Sequence, residues 1–495
     1  MSQTTPNVRV RMAPAPTGLF HVGSARAALF NWLFARRRGG VFVLRIEDTD
    51  VTRQLDEAID NLQQAMRWLG LDWDEGPAVG GEYGPYYQSQ RSALYQEHAQ
   101  RLLESGAGYL CFCSPEELEQ RRRQLQAQGV EPKYDRRCRA LSQPERERLQ
   151  AEGRPAAIRF AMPNGETIMV EDAVLGAIEY QSDDLDDFVL LKSSGGPTYN
   201  LANVVDDHLM AISHVLRGVD MLNSTPRQQL VYRALGWEPP VFGHLPILLG
   251  TDRTKLSKRH GAEPVTWYRD NGYLPEAMIN FLALLGWAPG EDRELLAREE
   301  MIALFSLENI SKSPAVFDVE KLEWMNSHYL RACSPERFIK LTLPYLQRAG
   351  LLPDPLPDEQ REYAERVILL EQEKVKTLSD IVSLADFFFR ALPEYEPTAV
   401  SKWLHNETAH ELLTRLRDRL AALSSFTAGH LEREVRALAE ELGIGAGKVI
   451  HPTRVAVSGR TTGPGLFELL EVMGRERVME RLEHAAQLAR PGDQT

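Results

Sequence analysis

The first fifty residues constrain the fold more than any other stretch of this chain. Val8-Arg9-Val10-Arg11-Met12 is a short apolar-basic run with the character of a strand. Pro14-Ala-Pro-Thr-Gly-Leu-Phe-His-Val-Gly23 is a Pro/Gly turn. Ala27, Leu29, Phe30, Leu33 and Phe34 then recur at helical spacing, and Arg36-Arg37-Arg38-Gly39-Gly40 closes the last turn before the apolar run Val41 to Ile46. Strand, helix and strand in this order make a βαβ unit, which predicts a parallel sheet. A helix that starts directly behind a strand and a turn is also an anion site, because its unpaired N–H groups and its dipole point at the turn. His21 and Gly23 fall there. An imidazole can donate to a phosphoryl oxygen, and a glycine lets a flat ring lie against bare backbone. A second short element, Lys255-Leu-Ser-Lys258-Arg259, puts two ammonium groups on a polar loop, suited to charge that develops on a phosphate.

Either element alone is weak, since a His-x-Gly or a basic turn is commonplace. In this order they resemble the HIGH and KMSKS elements of class I aminoacyl-tRNA synthetases. The residues around them narrow the likeness. Arg11-Met-Ala-Pro-Ala-Pro-Thr-Gly18, Ala27-Ala-Leu-Phe-Asn-Trp-Leu-Phe-Ala-Arg36 and Leu44-Arg-Ile-Glu-Asp-Thr-Asp50 are similar to glutamyl-tRNA synthetase, bacterial type. So are Pro197-Thr-Tyr-Asn-Leu-Ala-Asn-Val-Val-Asp-Asp-His208, Leu322-Glu-Trp-Met-Asn326, His451-Pro-Thr-Arg-Val-Ala-Val-Ser-Gly459 and Pro464-Gly-Leu-Phe-Glu468. The resemblance runs from about residue 8 to about residue 485.

The resemblance implies an α/β fold: a class I Rossmann-type nucleotide-binding catalytic domain, an inserted acceptor-binding α+β domain, and an all-α anticodon-binding region. The boundaries expected are 1–107 and 188–260 for the two catalytic halves, 108–187 for the insertion, 261–325 for a stem-contact domain and 326–495 for the helical region. Local patterns agree. Leu55 to Leu69 and Ser89 to Leu103 have helical spacing, Pro115 to Ala127 is a long charged helix, and Ala157 to Ala161 and Thr167 to Val170 are strand-like. Phe188-Val-Leu-Leu-Lys192 reads as a strand returning to the parallel sheet, and Leu245-Pro-Ile-Leu-Leu249 precedes the Lys255 loop. After about Lys312 the sequence is helix-rich, with turns at Pro353–Pro357 and Pro393–Pro397.

The chemistry implied is ATP-dependent ligation of L-glutamate to tRNA(Glu) through a glutamyl-adenylate, with acyl transfer to the 2′-hydroxyl of the terminal adenosine. By resemblance, His21 and Gly23 hold the ATP phosphates and adenine, Lys255 and Lys258 stabilise transition-state charge, and Mg²⁺ bridges the phosphates. Leu248 and Asp220 stand where the family contacts adenine and ribose. A glutamate pocket needs cations for the side-chain carboxylate and an anion for the α-amino group, and arginine's planar fork suits the first need. Arg11, Arg217 and Glu47 occupy the family positions, with Tyr199 and Asn203 adding polar contacts and Ala13 and Ala15 lining the pocket. Ala15 replaces the serine usual in the family. Taken without the resemblance, Arg217 reads as a surface arginine at a helix end. Lys374 corresponds to the family's anticodon-reading arginine, and whether tRNA(Gln) is also charged stays open at this point.

Cys111-Phe-Cys113 with Tyr134 and Cys138 is a second constellation. Some family members carry Cys-x-Cys followed by Cys-x-His, and here Ala140 stands at the histidine position. The variant pattern Cys-x-Cys with Tyr-x-x-x-Cys occurs in related enzymes and matches Tyr134 to Cys138, which implies one structural Zn²⁺. The alternative is three reduced thiols beside an unrelated tyrosine. Cys333 reads as a small buried hydrophobe.

Bulk properties bound these readings. A 495-residue chain of 43% hydrophobic and 26% charged residues is expected to form several domains. A net charge of −13 argues against a protein that coats nucleic acid indiscriminately, though Arg121-Arg122-Arg123 with Arg136, Arg137 and Arg139 can supply a local basic patch. No apolar run reaches membrane-spanning length, the N-terminus lacks a signal pattern, and four unevenly spaced cysteines suit a reducing compartment. A cytoplasmic monomer is expected. Competing readings are a glutaminyl enzyme, disfavoured because a neutral amide wants no second cation, and a non-catalytic tRNA-binding protein that kept the fold.

Overall fold

A computed structural model describes residues 8–49, 55–257, 259, 263–290, 292–405 and 408–490. The chain divides into two compact units, Met1–Arg269 with Met278–Val319, and Asp270–Ala277 with Glu320–Thr495.

The first unit opens as the βαβ unit expected. Strand β1 (Arg9–Met12) pairs in parallel with β2 (Val41–Leu44), joined by helix α1 (Val22–Arg38). Helix α1 ends because Gly39 adopts φ 59°, a left-handed conformation open to glycine, and returns its N–H to the Ala35 and Arg36 carbonyls. Leu29, Phe30, Leu33 and Phe34 are buried as their spacing requires. At about 1.5–3 kcal/mol for each such side chain, that burial fixes the helix firmly on the sheet. Helices α2 (Leu55–Leu69) and α3 (Ser92–Glu104) follow.

Strand β3 (Gly108–Cys111) is followed by α4 (Pro115–Ala127) and α5 (Gln143–Ala151). Helix α4 starts where Ser114 and Glu117 cap each other reciprocally and Pro115 takes the first helical position. Strands β4 (Ala157–Phe160), β5 (Thr167–Asp172), β6 (Gly176–Gln181) and β7 (Val189–Leu191) come next. Here the structure corrects the sequence reading. Strand β7 does not return to the parallel sheet: it pairs antiparallel with β4, completing the sheet β3-β4-β7. A three-residue apolar strand carries no signal of which sheet edge it will join.

The elements that follow in the chain are α6 (Tyr199–Leu209), β8 (His214–Gly218), α7 (Thr225–Leu235), β9 (Val241–Leu245), β10 (Leu248–Leu249), α8 (Val265–Asp270), α9 (Pro275–Leu284), α10 (Arg298–Leu304) and β11 (Ala315–Val316), with the last residue of α8 and the first three of α9 counted in the second unit. Strands β8 and β9 run parallel with Arg217 beside His244, and the hairpin β5–β6 joins them through one register pair, Asp172 with Phe242. The order of this sheet is β6-β5-β9-β8.

The second unit is helical among its described residues, from α11 (Val319–Arg331) to α20 (Arg475–Leu488). Its core is a single cluster that includes Phe338, Ile368, Phe387, Leu416, Leu438 and Leu469.

Candidate active site

His21 is the N-cap of α1. Its backbone is extended, and its Nδ1 accepts from the Gly23 N–H at 3.1 Å and the Ser24 N–H at 3.4 Å. The imidazole therefore takes two of the amides that the sequence reading left free for an anion. In exchange, the ring proton is placed on Nε2, 3.2 Å from the Ser24 hydroxyl, where it can be offered outward. Desolvation holds His21 below the ordinary imidazole range against the pull of Asp220, with Lys255 adding to the lowering, so the neutral donor form is favoured. Gly23 has a role the sequence did not reveal: a Cβ there would meet the His21 ring at 3.1 Å.

The turn after β10 carries the second motif. Gly250 N–H bonds the Thr254 carbonyl and Leu256 N–H bonds the Leu248 carbonyl, presenting Lys255 exposed. Leu248 is buried in β10, and Asp220 sits in the short helical turn Val219–Ser224. His21 pairs with Pro264 across an isolated bridge and Val265 N–H bonds the Phe20 carbonyl, so the chain beyond the loop returns to the α1 N-terminus. Lys258 lies outside the described residues.

The predicted glutamate pocket is a buried ionic cluster. Arg11 binds Asp207 through Nε at 3.1 Å and Nη2 at 3.3 Å. Arg45, which sequence reasoning passed over, binds Asp207 through Nη1 at 2.7 Å and Glu47 through Nη2 at 3.1 Å. Burial opposes ionisation of Asp207, but Arg11 and Arg45 outweigh it and hold the carboxyl below its ordinary range. Burial raises Glu47 despite Arg45 and Arg11. Asn203 donates to Glu47 Oε1 at 2.9 Å, the atom Arg45 also reaches, and Oε2 has no hydrogen-bond partner among the described residues. Neighbouring Asp206 is saturated by Arg91, Gln88 and Tyr95. Ala13 and Ala15 offer no polar side chain, and the Ala15 carbonyl is occupied by the Thr17 N–H at 2.8 Å.

Arg217 differs from Arg11. It is 6% exposed, on a strand and not at a surface helix end. Nε donates to His244 Nε2 at 3.0 Å, Nη1 to the Tyr199 hydroxyl at 2.9 Å and Nη2 to the Thr225 hydroxyl at 2.8 Å. Burial pushes the Tyr199 phenol up, so that partner stays neutral. No carboxylate among the described residues stands within ion-pair distance of Arg217. Three of its five N–H groups are used, and one on each terminal nitrogen remains, the fork a carboxylate accepts.

Cys111, Cys113 and Cys138 bring their sulfurs within 4.8 Å of one another. Cys113 Sγ lies 3.5 Å from Cys138 Sγ, and the Tyr134 hydroxyl lies 3.3 Å from Cys111 Sγ and 3.7 Å from Cys113 Sγ. Tetrahedral bonds of about 2.3 Å to sulfur and 2.0 Å to oxygen give edges of roughly 3.5–3.8 Å, so this donor set fits Zn²⁺. Hydrogen bonds from Cys113 and Cys138 pull the Cys111 thiol down, and the Arg159 guanidinium stands 3.9 Å over the Tyr134 ring. Hydrogen bonds to Cys111 and Cys138 push the Cys113 thiol up, and burial with hydrogen bonds to the same two thiols pushes the Tyr134 phenol up, so Cys111 is the ligand favoured as an anion before any metal binds. In the second unit, Lys374 follows α13 (Asp358–Glu371) and donates to the Gly463 carbonyl.

A parallel strand pair, a helix N-terminus capped by the HIGH-type histidine and a basic hairpin define a class I nucleotide-activating catalytic domain. Comparison with known families agrees: "tRNA synthetases class I (E and Q), catalytic domain" matches residues 7–324, and "Anticodon binding domain" matches 337–486. Glutamate--tRNA ligase of Moorella thermoacetica is 52% identical over 98% of this chain and 99% of its own length. That of Bacillus licheniformis is 43% identical over 97% and 99%. A glutamate tRNA ligase from Elizabethkingia meningosepticum, crystallised in complex with its amino acid, superposes with a TM-score of 0.89 at 36% identity, covering 98% of this chain and all of that one. The chain belongs to the glutamate--tRNA ligases, class I synthetases that attach glutamate to tRNA.

Proposed function

We propose that the pocket around Arg217 takes the side-chain carboxylate of L-glutamate while Glu47 receives its α-ammonium group. The observation that carries this reading is a buried arginine whose direct partners are all neutral, in the same pocket as a carboxylate with an open oxygen. Asp207 anchors Arg11 and Arg45, Arg45 in turn holds Glu47, and Asn203 and Tyr199 fix the two recognising groups. ATP, as its Mg²⁺ complex, lies along the N-terminus of α1. There His21 Nε2–H donates to a phosphate oxygen, and the Lys255 hairpin, with Lys258, stabilises charge as pyrophosphate leaves. Leu248 and Asp220 hold adenine and ribose.

No protein nucleophile is required. The substrate carboxylate attacks the α-phosphate, and the 2′-hydroxyl of the terminal adenosine of tRNA(Glu) then takes the acyl group. The chain contributes alignment and a preorganised field. ATP–pyrophosphate exchange tests this reading with tRNA present. Exchange that depends on glutamate and not on glutamine supports the pocket, and equal response to both amino acids overturns it.

The Cys111, Cys113, Tyr134 and Cys138 set holds one structural Zn²⁺, which would cross-link the end of β3, the following turn and the loop before α5. Those residues pin the insertion (108–187), which presents the tRNA acceptor end. Metal analysis of protein purified without chelator should find about one zinc per chain. A metal-free preparation with full activity would leave four ordinary side chains. The helical region (326–495) reads the anticodon with Lys374 facing its third base. Charging tRNA(Glu) and tRNA(Gln) side by side, in the native chain and in Lys374→Ala, measures that discrimination.

A further inference from the structure

His244 is fully buried and Asp172 is 5% exposed, and neither belongs to any motif that led to the pocket. They stand on adjacent strands, with His244 beside Arg217 in the β8–β9 register. Asp172 Oδ1 accepts three backbone N–H groups, those of Val174 at 2.9 Å, Leu175 at 2.8 Å and His244 at 3.2 Å. Its Oδ2 lies 2.5 Å from His244 Nδ1. A carboxylate can only accept there, so the imidazole proton resides on Nδ1 and Nε2 is left as an acceptor. That acceptor meets Arg217 Nε–H at 3.0 Å.

We propose that Asp172 and His244 are positioning residues for Arg217: the carboxylate selects the imidazole tautomer, and the imidazole aims the guanidinium fork at the substrate's side-chain carboxylate. The proposal rests on the reading of Arg217 given above. An aspartate bound directly to Arg217 would neutralise it, as Asp207 does Arg11. One imidazole between them keeps the cation oriented without occupying the fork. The groups facing His244 are Asp172 from β5, Arg217 from β8, Thr225 from α7 and, at longer range, Arg11 from β1, with the Phe242 ring alongside. Desolvation lowers His244 and Arg217 adds to this, while Asp172 opposes it. The neutral ring is therefore the working form. Protonation would turn Nε2 into a donor aimed at another donor.

Asp172→Asn separates the roles at constant volume. The three backbone N–H groups claim the carbonyl oxygen of the substituted amide, which turns its NH₂ toward His244 Nδ1. The imidazole must then accept on Nδ1 and carry its proton on Nε2, against Arg217 Nε–H. The expected result is a KM for glutamate raised about tenfold or more, with kcat and KM for ATP changed less than about threefold. In ¹⁵N spectra of histidine-labelled enzyme, one imidazole should pass from the Nδ1–H to the Nε2–H form. The native enzyme should also lose affinity for glutamate as pH falls through the titration of that imidazole. An unchanged KM for glutamate in Asp172→Asn, or a native His244 in the Nε2–H form, overturns the proposal. The second readout needs no variant that folds. Arg217→Ala in the same assay keeps the two readings apart. If it leaves KM for glutamate unchanged, the pocket itself is wrong. If it abolishes glutamate use while Asp172→Asn does nothing, only the positioning pair fails.

Discussion

Arg11 and Arg217 both act on the Tyr199 phenol, yet only one of them has a carboxylate of its own among the described residues. Asp207 binds Arg11 and Arg45 together and is itself buried, so its removal would leave Arg11 without a carboxylate in a dry site and Arg45 with Glu47 and Asp206 alone. Asp207→Asn should lower stability by about 3 kcal/mol or more in urea unfolding, as breaking a buried ion pair does. A loss under about 1 kcal/mol would mean that water reaches the cluster. Its folded-state pKa is depressed, so its contribution is present above the unfolded value of about 3.9 and is lost as pH falls through the folded one. At this scale the sequence was half legible. Arg11, Glu47, Tyr199, Asn203 and Arg217 were singled out through motif positions, and the structure gathers them into two linked hydrogen-bond networks. Arg45, Asp207, His244 and Asp172 were not, because they act on other side chains and no local pattern announces such a partner.

At the scale of elements, helices were the most legible. Pro115–Ala127 has the bounds expected of a long charged helix, and the structure adds the reason for its start, a capping box of Ser114 and Glu117 around Pro115; Leu55–Leu69 was legible from its amphipathic spacing. Strand pairing was the least legible. Neither the joining of β7 to β4 nor the single register pair of β5 with β9 follows from composition, yet the second brings Asp172 to His244. The Lys255 hairpin yields a kinetic prediction. Lys258→Ala should lower kcat far more than it raises KM for ATP, since its charge is needed where pyrophosphate departs. Weakened ATP binding at unchanged kcat would make the loop a binding element only. Helix α13 yields a prediction in pH. Glu371 is fully buried, its carboxylate oxygens have no hydrogen-bond partner among the described residues, and burial pushes its pKa up to about 7, against Lys374, Arg460 and Arg454. The unfolded chain ionises near 4.3, so stability drains away as pH rises from there to about 7 and is level beyond. Glu371→Gln should flatten that slope and raise stability at pH 8 by roughly 3 kcal/mol. An unaltered pH profile would show that the carboxylate is solvated.

For the whole molecule, the family matches and the near full-length likeness to glutamate--tRNA ligases agree with a fold expectation built from two short motifs. A net charge of −13 does not exclude tRNA as substrate, because electrostatic attraction to a polyanion is set by local potential and not by the sum. The division into two compact units was legible only in part: the change to a helix-rich pattern near Lys312 lies close to the break at Val319, whereas the return of Asp270–Ala277 to the second unit left no mark in the sequence. The central claim, that a buried arginine without an acidic partner selects glutamate, is tested most directly by the rate of glutamate attachment to tRNA(Glu) in the native chain and in Arg217→Ala. The account predicts a loss of kcat/KM for glutamate of about 10²-fold or more, with KM for ATP nearly unchanged. Normal glutamate charging by that variant would contradict it.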